Sequence, residues 1–520
     1  MCGIAGYVGP GPLPPERLAA CGKLMRRRGP DADGTFAAPL PGGRHAHLLH
    51  SRLAIIDLDR RSDQPFELDG RVLTYNGEIY NYLELRDELA REGWRPRSDG
   101  DTEVLARLLS TRDVAALRAC EGMYAFAQLD PGTGRLLLAR DRFGEKPLWI
   151  ARDGEALYFG SEPKFVFALM GRRPRIDRGH LRRYLVNGYK ALYKTRASFF
   201  EGVEELPAGH AAILESGGAL RVFPHWAPRY PAPDDAMTYE EAVAGARERL
   251  IASVKLRLRA DVPVAFCLSG GIDSNALIAV AKRELGYDVH GFTIMNTDAR
   301  YEERDMVETS VRQLGLEHTP IPIETGGFLD GLRELVRQHD APVYTLTYFA
   351  HWRLMAAVRA AGYKVSVSGT AADELFSGYY DHHNAYLAAM AAESPEAHAR
   401  ALAAWRRHVE PIVRNPFLRD PDYFVRRPFA RDHIYLDAPE FARMLVDPFD
   451  EPFVETAYAE PLLRNRMANE LFHESVPVIL HEDDSNAMYH SIENRSPYLD
   501  TALFDWCARI PTRHLVRDGR

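Results

Sequence analysis

The apolar pattern of this chain changes character once, at Pro228-Arg229-Tyr230-Pro231-Ala232-Pro233-Asp234-Asp235. Proline fixes φ and lacks a donor N–H, so so proline-rich a stretch continues neither a helix nor a central strand and reads as a linker. Before it, short apolar runs such as GIAGYVG, HLLHSRLAIIDL, RVLTYNGEIYN, MYAFAQLD, RLLLARD and ALYFGSE end on Gly, Pro, Asp or other polar residues. Such runs predict strands. Helices fit 15–27, 82–92 and 101–110. After the linker a helix over 239–259 leads into a strand over 263–269, then Gly-Gly and a helix over 274–285. The strand DVHGFTIM, a helix over 304–314, the strand-like HTPIPI, a helix over 351–361 and the strand YKVSVSG follow. Residues 385–410 are Ala-rich and read as helical. Strand–helix alternation buries both faces of a parallel sheet. The expectation is therefore a mixed α/β and α+β chain of two domains: a β-rich unit over 2–226, a linker over 227–238 and a parallel-sheet α/β unit over 239–520. Length agrees, since 520 residues exceed the ~250–300 that one core reaches.

A formal net charge of −8 argues against general affinity for nucleic acid or for anionic membranes. Arg26-Arg27-Arg28 reads as a solvated face rather than a phosphate patch. The five cysteines, Cys2, Cys21, Cys120, Cys267 and Cys507, are scattered and include no CxxC pair, which suits neither a disulfide framework nor a metal site. A reducing, cytoplasmic setting is expected. No window approaches the ~18 consecutive apolar residues of a membrane span. MCGIAGYVGP lacks the basic start of a signal peptide. Oligomeric state is not legible, and a homo-oligomer is compatible with the composition.

Gly3 and Cys2 are small enough for removal of Met1, which would leave Cys2 with a thiol and a free α-amine on one carbon skeleton. The thiolate is the nucleophile, and the α-amine, with pKa ~7.7–8.0, can serve as its base. Alone, a second-position cysteine is an accident of the start codon. It is accompanied by Arg28-Gly29-Pro30-Asp31, Ser51-Arg52-Leu53-Ala54-Ile55-Ile56-Asp57, Tyr75-Asn76-Gly77-Glu78-Ile79-Tyr80-Asn81 and Ser98-Asp99-Gly100-Asp101-Thr102-Glu103. Arg140-Asp141-Arg142-Phe143-Gly144-Glu145-Lys146-Pro147 and Ser161-Glu162-Pro163-Lys164 follow in order. With these motifs the chain resembles the class II glutamine amidotransferase domain, an N-terminal-nucleophile hydrolase with an αββα sandwich, from Cys2 to about Trp226. The resemblance implies that Cys2 attacks the glutamine side-chain amide. It makes the Asn76 side chain and the Gly77 N–H the oxyanion hole, where one donor is worth about 2.7–4 kcal/mol. Arg52 would hold the glutamine α-carboxylate, and Asp101 with the backbone near Glu78 the α-amine. Singly, Asn76-Gly77 is a turn signal, Asp101 a helix N-cap and Arg52 a surface ion pair.

Leu268-Ser269-Gly270-Gly271-Ile272-Asp273-Ser274 lies between a predicted strand and a predicted helix. Small residues let backbone N–H groups approach phosphate, and the helix N-terminus adds free donors. Asp273 would repel phosphate unless a divalent cation lay between, so it reads as a Mg²⁺ ligand. The plain alternative is a Gly-Gly turn with a capping Asp-Ser. The segment lacks the Lys of GxxxxGK[ST] and resembles the PP-loop of ATP pyrophosphatases. Glutaminase domain followed by PP-loop domain resembles the glutamine-hydrolysing asparagine synthetase family over nearly the whole chain. Ser366-Val367-Ser368-Gly369-Thr370-Ala371-Ala372-Asp373-Glu374-Leu375-Phe376 is similar to that family's second nucleotide loop, and Ser491 to Asp500 to its late motif. The resemblance implies ATP contacts at Leu268, Ser269, Gly270, Gly271, Asp273, Ser274, Ile294, Ser368 and Gly369, with Asp373 as the other Mg²⁺ ligand. It also implies an acyl-adenylate on an acceptor carboxylate, and internal passage of ammonia.

Three departures bear on the acceptor. Thr370 stands where the family usually has Glu, and a hydroxyl does no carboxylate's work. Asp483-Asp484-Ser485 replaces a segment that often carries a basic residue. The sequence ends at Arg520, short of a tail that commonly brings in a lysine. The acceptor is therefore expected to be aspartate, a uronic-acid sugar of the surface-polysaccharide kind, or a natural-product precursor. Rival readings are an ATP-independent glutaminase and a nucleotide-binding protein without turnover; the intact loop and Asp373 argue against both. Asp381-His382-His383 reads as a helix-end or loop cluster rather than a metal site, and Cys267 as a buried strand residue.

Overall fold

The computed structural model describes residues 2–216, 218–295, 302–323, 326–435 and 437–519. Its first half is two six-stranded antiparallel sheets laid face to face. One runs Val203–Glu205, Trp149–Asp153, Ala156–Gly160, Gly3–Pro10, Arg44–Arg52, Ala32–Leu40 across its width. The other runs Leu220–Pro224, His210–Leu214, Arg135–Arg140, Gly122–Asp130, Arg71–Ile79, Phe66–Leu68. Strand Gly3–Pro10 explains the layering through its period of two. Ile4 and Val8 enter the core between the sheets with Leu48, Ala125, Leu138 and Leu214. Ala5 and Tyr7 face the other way, onto the helices Pro15–Met25 and Pro163–Met170. The second sheet likewise turns Tyr75, Phe126 and Leu137 toward the helices Tyr82–Arg91 and Asp101–Arg112. The result is an αββα sandwich.

The second half holds a five-stranded sheet in the order Glu317–Pro322, His290–Met295, Val264–Cys267, Val365–Val367, Glu493–Arg495, parallel throughout. The chain lays down strands on one side of Val264–Cys267, then returns to fill the other. That reversal puts a crevice at the carboxyl ends of Val264–Cys267 and Val365–Val367, the place where open α/β sheets bind ligands.

The stretch 227–238 has no strand or long helix but is tied down. Tyr230 meets Phe504 edge-on at 5.4 Å, and the Asp234 N–H donates to the Arg509 carbonyl at 2.9 Å. The Ala-rich segment expected as one helix breaks into Tyr380–Glu393 and Pro395–His408. Pro395 cannot sit inside a helix but suits its first turn, and the Ser394 hydroxyl accepts from the Ala397 N–H at 3.1 Å.

Candidate functional site

Two groups of polar side chains stand out, one in each half, with a band of ion pairs between them. In the first half Cys2 precedes strand Gly3–Pro10 and is buried. Its backbone N–H donates to Asn76 Oδ1 at 3.0 Å, and its carbonyl accepts from Arg28 Nε at 3.0 Å. Burial pushes the Cys2 thiol up to about 11, against the pull of the amino terminus, the Leu53 N–H and Arg52. Thiolate is therefore scarce at neutral pH, and attack needs a base beside it.

Asn76 is held on strand Arg71–Ile79, and its Nδ2 is buried without a partner among the described residues. A buried donor left so costs about 1–3 kcal/mol, which an oxyanion would relieve. Gly77 has φ +153, and a Cβ there would lie 2.1 Å from the Met123 carbonyl, so the strand closes on its neighbour only with glycine. Glu78 is held well above the usual carboxylate range by burial, then by Asp101 and Glu493; its Oε2 has no hydrogen-bond partner among the described residues. Burial also pushes Asp101 up to about 6, although Tyr75 Oη and the Ile79 N–H donate to it at 2.7 and 2.9 Å. Two buried carboxylates raised in this way suit an ammonium ligand. Arg52 donates to Asp63 Oδ1 and to the Asp59 carbonyl, both at 2.8 Å, and touches the Asp57 carbonyl, so the 56–63 loop fixes its guanidinium. The thiol of Cys2 feels Glu78 and Arg52, and Glu78 feels Asp101. The six residues expected to handle glutamine are thus neighbours.

In the second half the loop after Val264–Cys267 is wound on itself. The Ser269 N–H donates to Ser274 Oγ at 3.1 Å, the Gly271 N–H to Ser269 Oγ at 3.1 Å, and Asn275 Nδ2 to the Ser269 and Gly271 carbonyls. The Gly270 N–H donates to Glu303 at 2.8 Å, a carboxylate where a phosphate oxygen would fit. A cavity of about 460 Å³ lies in the crevice, and Leu268, Ser269, Asp273, Ser274, Ile294 and Gly369 line it; Gly270, Gly271 and Ser368 are not on its wall. Cys267, expected as a buried strand residue, is half-buried and lines the cavity too. Gly369 brings the second loop against the first: a Cβ there would lie 3.2 Å from Asp273 Cβ and 3.3 Å from the Ser274 nitrogen. Burial, with the charge of Asp373 adding to it, pushes Asp273 up to about 6, and burial raises Asp373 as well. Two interacting carboxylates strained in this way are a donor set suited to a hard divalent cation.

Between the two groups lies an interface that sequence reasoning missed. Arg28, taken for part of a solvated face, is 1% exposed. It donates to Glu162 at 3.0 Å and, through both terminal nitrogens, to Asp484 at 2.8 and 3.2 Å. Lys146 stands 3.5 Å from the same Asp484, Arg495 3.9 Å from Glu78, and Arg257 3.1 Å from Glu121. Nothing in the spacing of Arg26-Arg27-Arg28 separates the buried arginine from its exposed neighbours; only the tertiary partner does. Next to Asp484, Asp483 accepts from Thr370 Oγ1 at 3.0 Å and from Asn494 Nδ2 at 3.1 Å, with His351 Nε2 at 3.5 Å.

Asp381, His382 and Glu470 offer ligand atoms within 4.8 Å of one another, at the start of helix Tyr380–Glu393. Arg466 at 3.0 Å and Lys190 at 3.1 Å already neutralise Glu470, so this is an ion-pair cluster. Among the described residues no helix is long and apolar enough to cross a membrane.

Residues 1–226 match the glutamine amidotransferase domain family, and residues 245–520 match the asparagine synthase family. A Mycobacterium tuberculosis (strain H37Rv) protein bearing the name asparagine synthetase [glutamine-hydrolyzing] is 31% identical over 98% of this chain and 82% of its own. Asparagine synthetase [glutamine-hydrolyzing] 3 of Bacillus subtilis is 26% identical over 100% of this chain and 83% of its own. Amidase chyE of Penicillium rubens is 31% identical over 68% of this chain and 54% of its own. Together with the paired sites these matches place the chain in the glutamine-hydrolysing asparagine synthetase family, as a glutamine-dependent, ATP-using ligase.

Proposed function

We propose that this enzyme hydrolyses glutamine at Cys2 and uses the ammonia to amidate a carboxylate that ATP has activated as an acyl-adenylate, with AMP and pyrophosphate as products. The observation that carries the reading is the pairing of two incomplete sites across one interface. Cys2 sits beside Asn76, whose Nδ2 has no partner among the described residues, and two joined nucleotide loops bear Asp273 and Asp373, both raised by burial. Asn76 Nδ2 and the Gly77 N–H receive the oxyanion, Arg52 takes the α-carboxylate, and Glu78 and Asp101 take the α-ammonium. On the other side the small residues of 268–271 leave room for the triphosphate, and Gly369 closes over it, with Ser368 behind it. Asp273 and Asp373 would hold Mg²⁺, whose charge would offset that of the phosphates. The buried interface keeps ammonia from water, where it would be protonated and lost.

The acceptor is a carboxylate larger than aspartate. A cavity of about 750 Å³, lined among others by Lys190, Thr345, Thr347, Tyr379, Tyr380 and Glu482, supports this reading. Tyrosine rings and hydroxyls suit a polyhydroxylated ring, and Lys190, shared with Glu470 at 3.1 Å, is the cation nearest the carboxylate it carries. The test is acceptor-dependent pyrophosphate release by the full chain with ATP, Mg²⁺ and glutamine, across aspartate, glucuronate, galacturonate and UDP-glucuronate. Release with a uronate and not with aspartate is expected. Release with aspartate, giving asparagine, would overturn the acceptor. Silence across the panel would overturn the amidotransferase reading.

A further inference from the structure

Amide formation needs a proton acceptor as well as an activated acid. The nitrogen lone pair forms the C–N bond, the bond from the acyl carbon to the AMP oxygen breaks, and AMP leaves with that electron pair. The nitrogen must then shed a proton inside a site closed to water.

Two adjacent carboxylates of helix Val476–Tyr489 lie between the nucleotide loops and the Cys2 site, and their surroundings differ. Asp484 is clamped by Arg28 and Lys146, which hold its carboxyl below the usual range, so it takes up no proton near neutrality. Asp483 bonds to neutral partners, Thr370 and Asn494 on Oδ2, with His351 facing Oδ1. Burial raises its carboxyl and lowers the His351 imidazole. The same bonds fix Asp483 against the second nucleotide loop: Ser368 Oγ lies 3.1 Å from Thr370 Oγ1 and accepts from Asn494 Nδ2 at 2.9 Å. Its charge reaches the Cys267 thiol on the nucleotide cavity wall. Thr347, one turn before His351, donates to Glu482 Oε2 at 3.1 Å, and both line the larger cavity. Asp483 is on the wall of neither cavity but is tied to residues beside both, and it feels the charge of Lys146 without pairing to it, Lys146 lying against Asp484 instead.

We propose that Asp483 accepts the proton that the attacking ammonia releases, and that Thr370, Asn494 and His351 position it. The carboxylate that the second loop lacks at Thr370 comes instead from helix Val476–Tyr489. This assignment rests on the amidotransferase reading above, and the test separates the two.

Asp483→Asn is compared with wild type on the full chain, using ATP, Mg²⁺ and whichever carboxylate of the panel releases most pyrophosphate. Glutamate release from glutamine and acceptor-dependent exchange of labelled pyrophosphate into ATP should stay near wild type. Amide formation from glutamine or ammonium should fall about 10²–10⁴-fold, the usual weight of a general base. Hydroxylamine is a weaker base than ammonia, so its adduct is the stronger acid and gives its proton even to a weak acceptor such as the departing phosphate, and hydroxamate formation should fall far less. Thr370→Val, which keeps the carboxylate but frees one oxygen, should give a smaller loss confined to ammonia. Equal loss with ammonia and hydroxylamine in either variant, or undiminished amide formation in Asp483→Asn, would overturn the assignment alone. A wild-type protein that exchanges no pyrophosphate with any of the carboxylates would overturn the amidotransferase reading and the assignment with it.

Discussion

Burial works against Cys2 as a nucleophile, because it raises the thiol to about 11 while the reaction needs the thiolate. A local base answers this, and Cys2→Ala should therefore abolish glutamine-dependent amide formation while ammonium still supports it; retained glutamine use would reject Cys2. Asp101 carries the next consequence. Its carboxyl, pushed up to about 6, is ionised above that pH and protonated below it. Only the ionised form attracts the α-ammonium of glutamine, so kcat/KM for glutamate release should fall as pH drops through about 6. Asp101→Asn should flatten that limb, lowering kcat/KM above about pH 6 and changing it little below. At this scale the sequence was legible where a motif keeps several chemical types at fixed spacing, as in Tyr75-Asn76-Gly77-Glu78. It was opaque where one type recurs with different fates. Arg26 and Arg27 are exposed while Arg28 is buried, and adjacent Asp483 and Asp484 differ only in what faces them.

Among the elements, the two nucleotide loops depend on each other's thickness. At Gly369 an added Cβ would press on Asp273 Cβ at 3.2 Å and on the Ser274 nitrogen at 3.3 Å. Gly369→Ala should raise KM for ATP by about tenfold, since displacements of a fraction of an ångström matter at a reacting centre. The rate of glutamate release should not change; an unaltered KM for ATP would show that the loops do not share the nucleotide. The strand–turn–helix around Gly270-Gly271 could be read from periodicity alone, and helix Arg304–Leu314 has the bounds expected of it. The helix expected over 274–285 instead becomes Ile272–Ala279 followed by the wider turn Val280–Glu284. Periodicity also gives no lateral order: nothing local says that Val365–Val367 lies beside Val264–Cys267.

Over the whole molecule, the two halves are joined by apolar packing, as of Phe143 and Trp226 on Phe472 and Phe504, and by buried ion pairs. Arg28, Lys146, Arg257 and Arg495 all lie at the interface, each facing a carboxylate of the opposite half: Asp484 for Arg28 and Lys146, Glu121 for Arg257 and Glu78 for Arg495. Removing one partner of a buried pair costs about 3–5 kcal/mol. Lys146 and Lys164 remain beside Asp484 and Glu162, so Arg28→Met should sit at the low end, about 3 kcal/mol by urea denaturation. It should also raise the glutamate released per amide formed, because Arg28 links the Cys2 carbonyl to Asp484. A stoichiometry unchanged from wild type would mean that this arginine holds the halves together without aligning them.

The Arg28–Asp484 clamp also limits how this protein can be recombined. A chimaera that grafts the first half onto a foreign synthetase would bury Arg28 and Lys146 opposite whatever occupies the place of Asp484. Unless that place is acidic, Lys146 would lose its carboxylate and Arg28 would keep only Glu162, at a cost of several kcal/mol, a large share of a native fold's stability. The halves of this enzyme are therefore inherited as a matched set, and a transplant that works should be one that carries helix Val476–Tyr489 along with the first half.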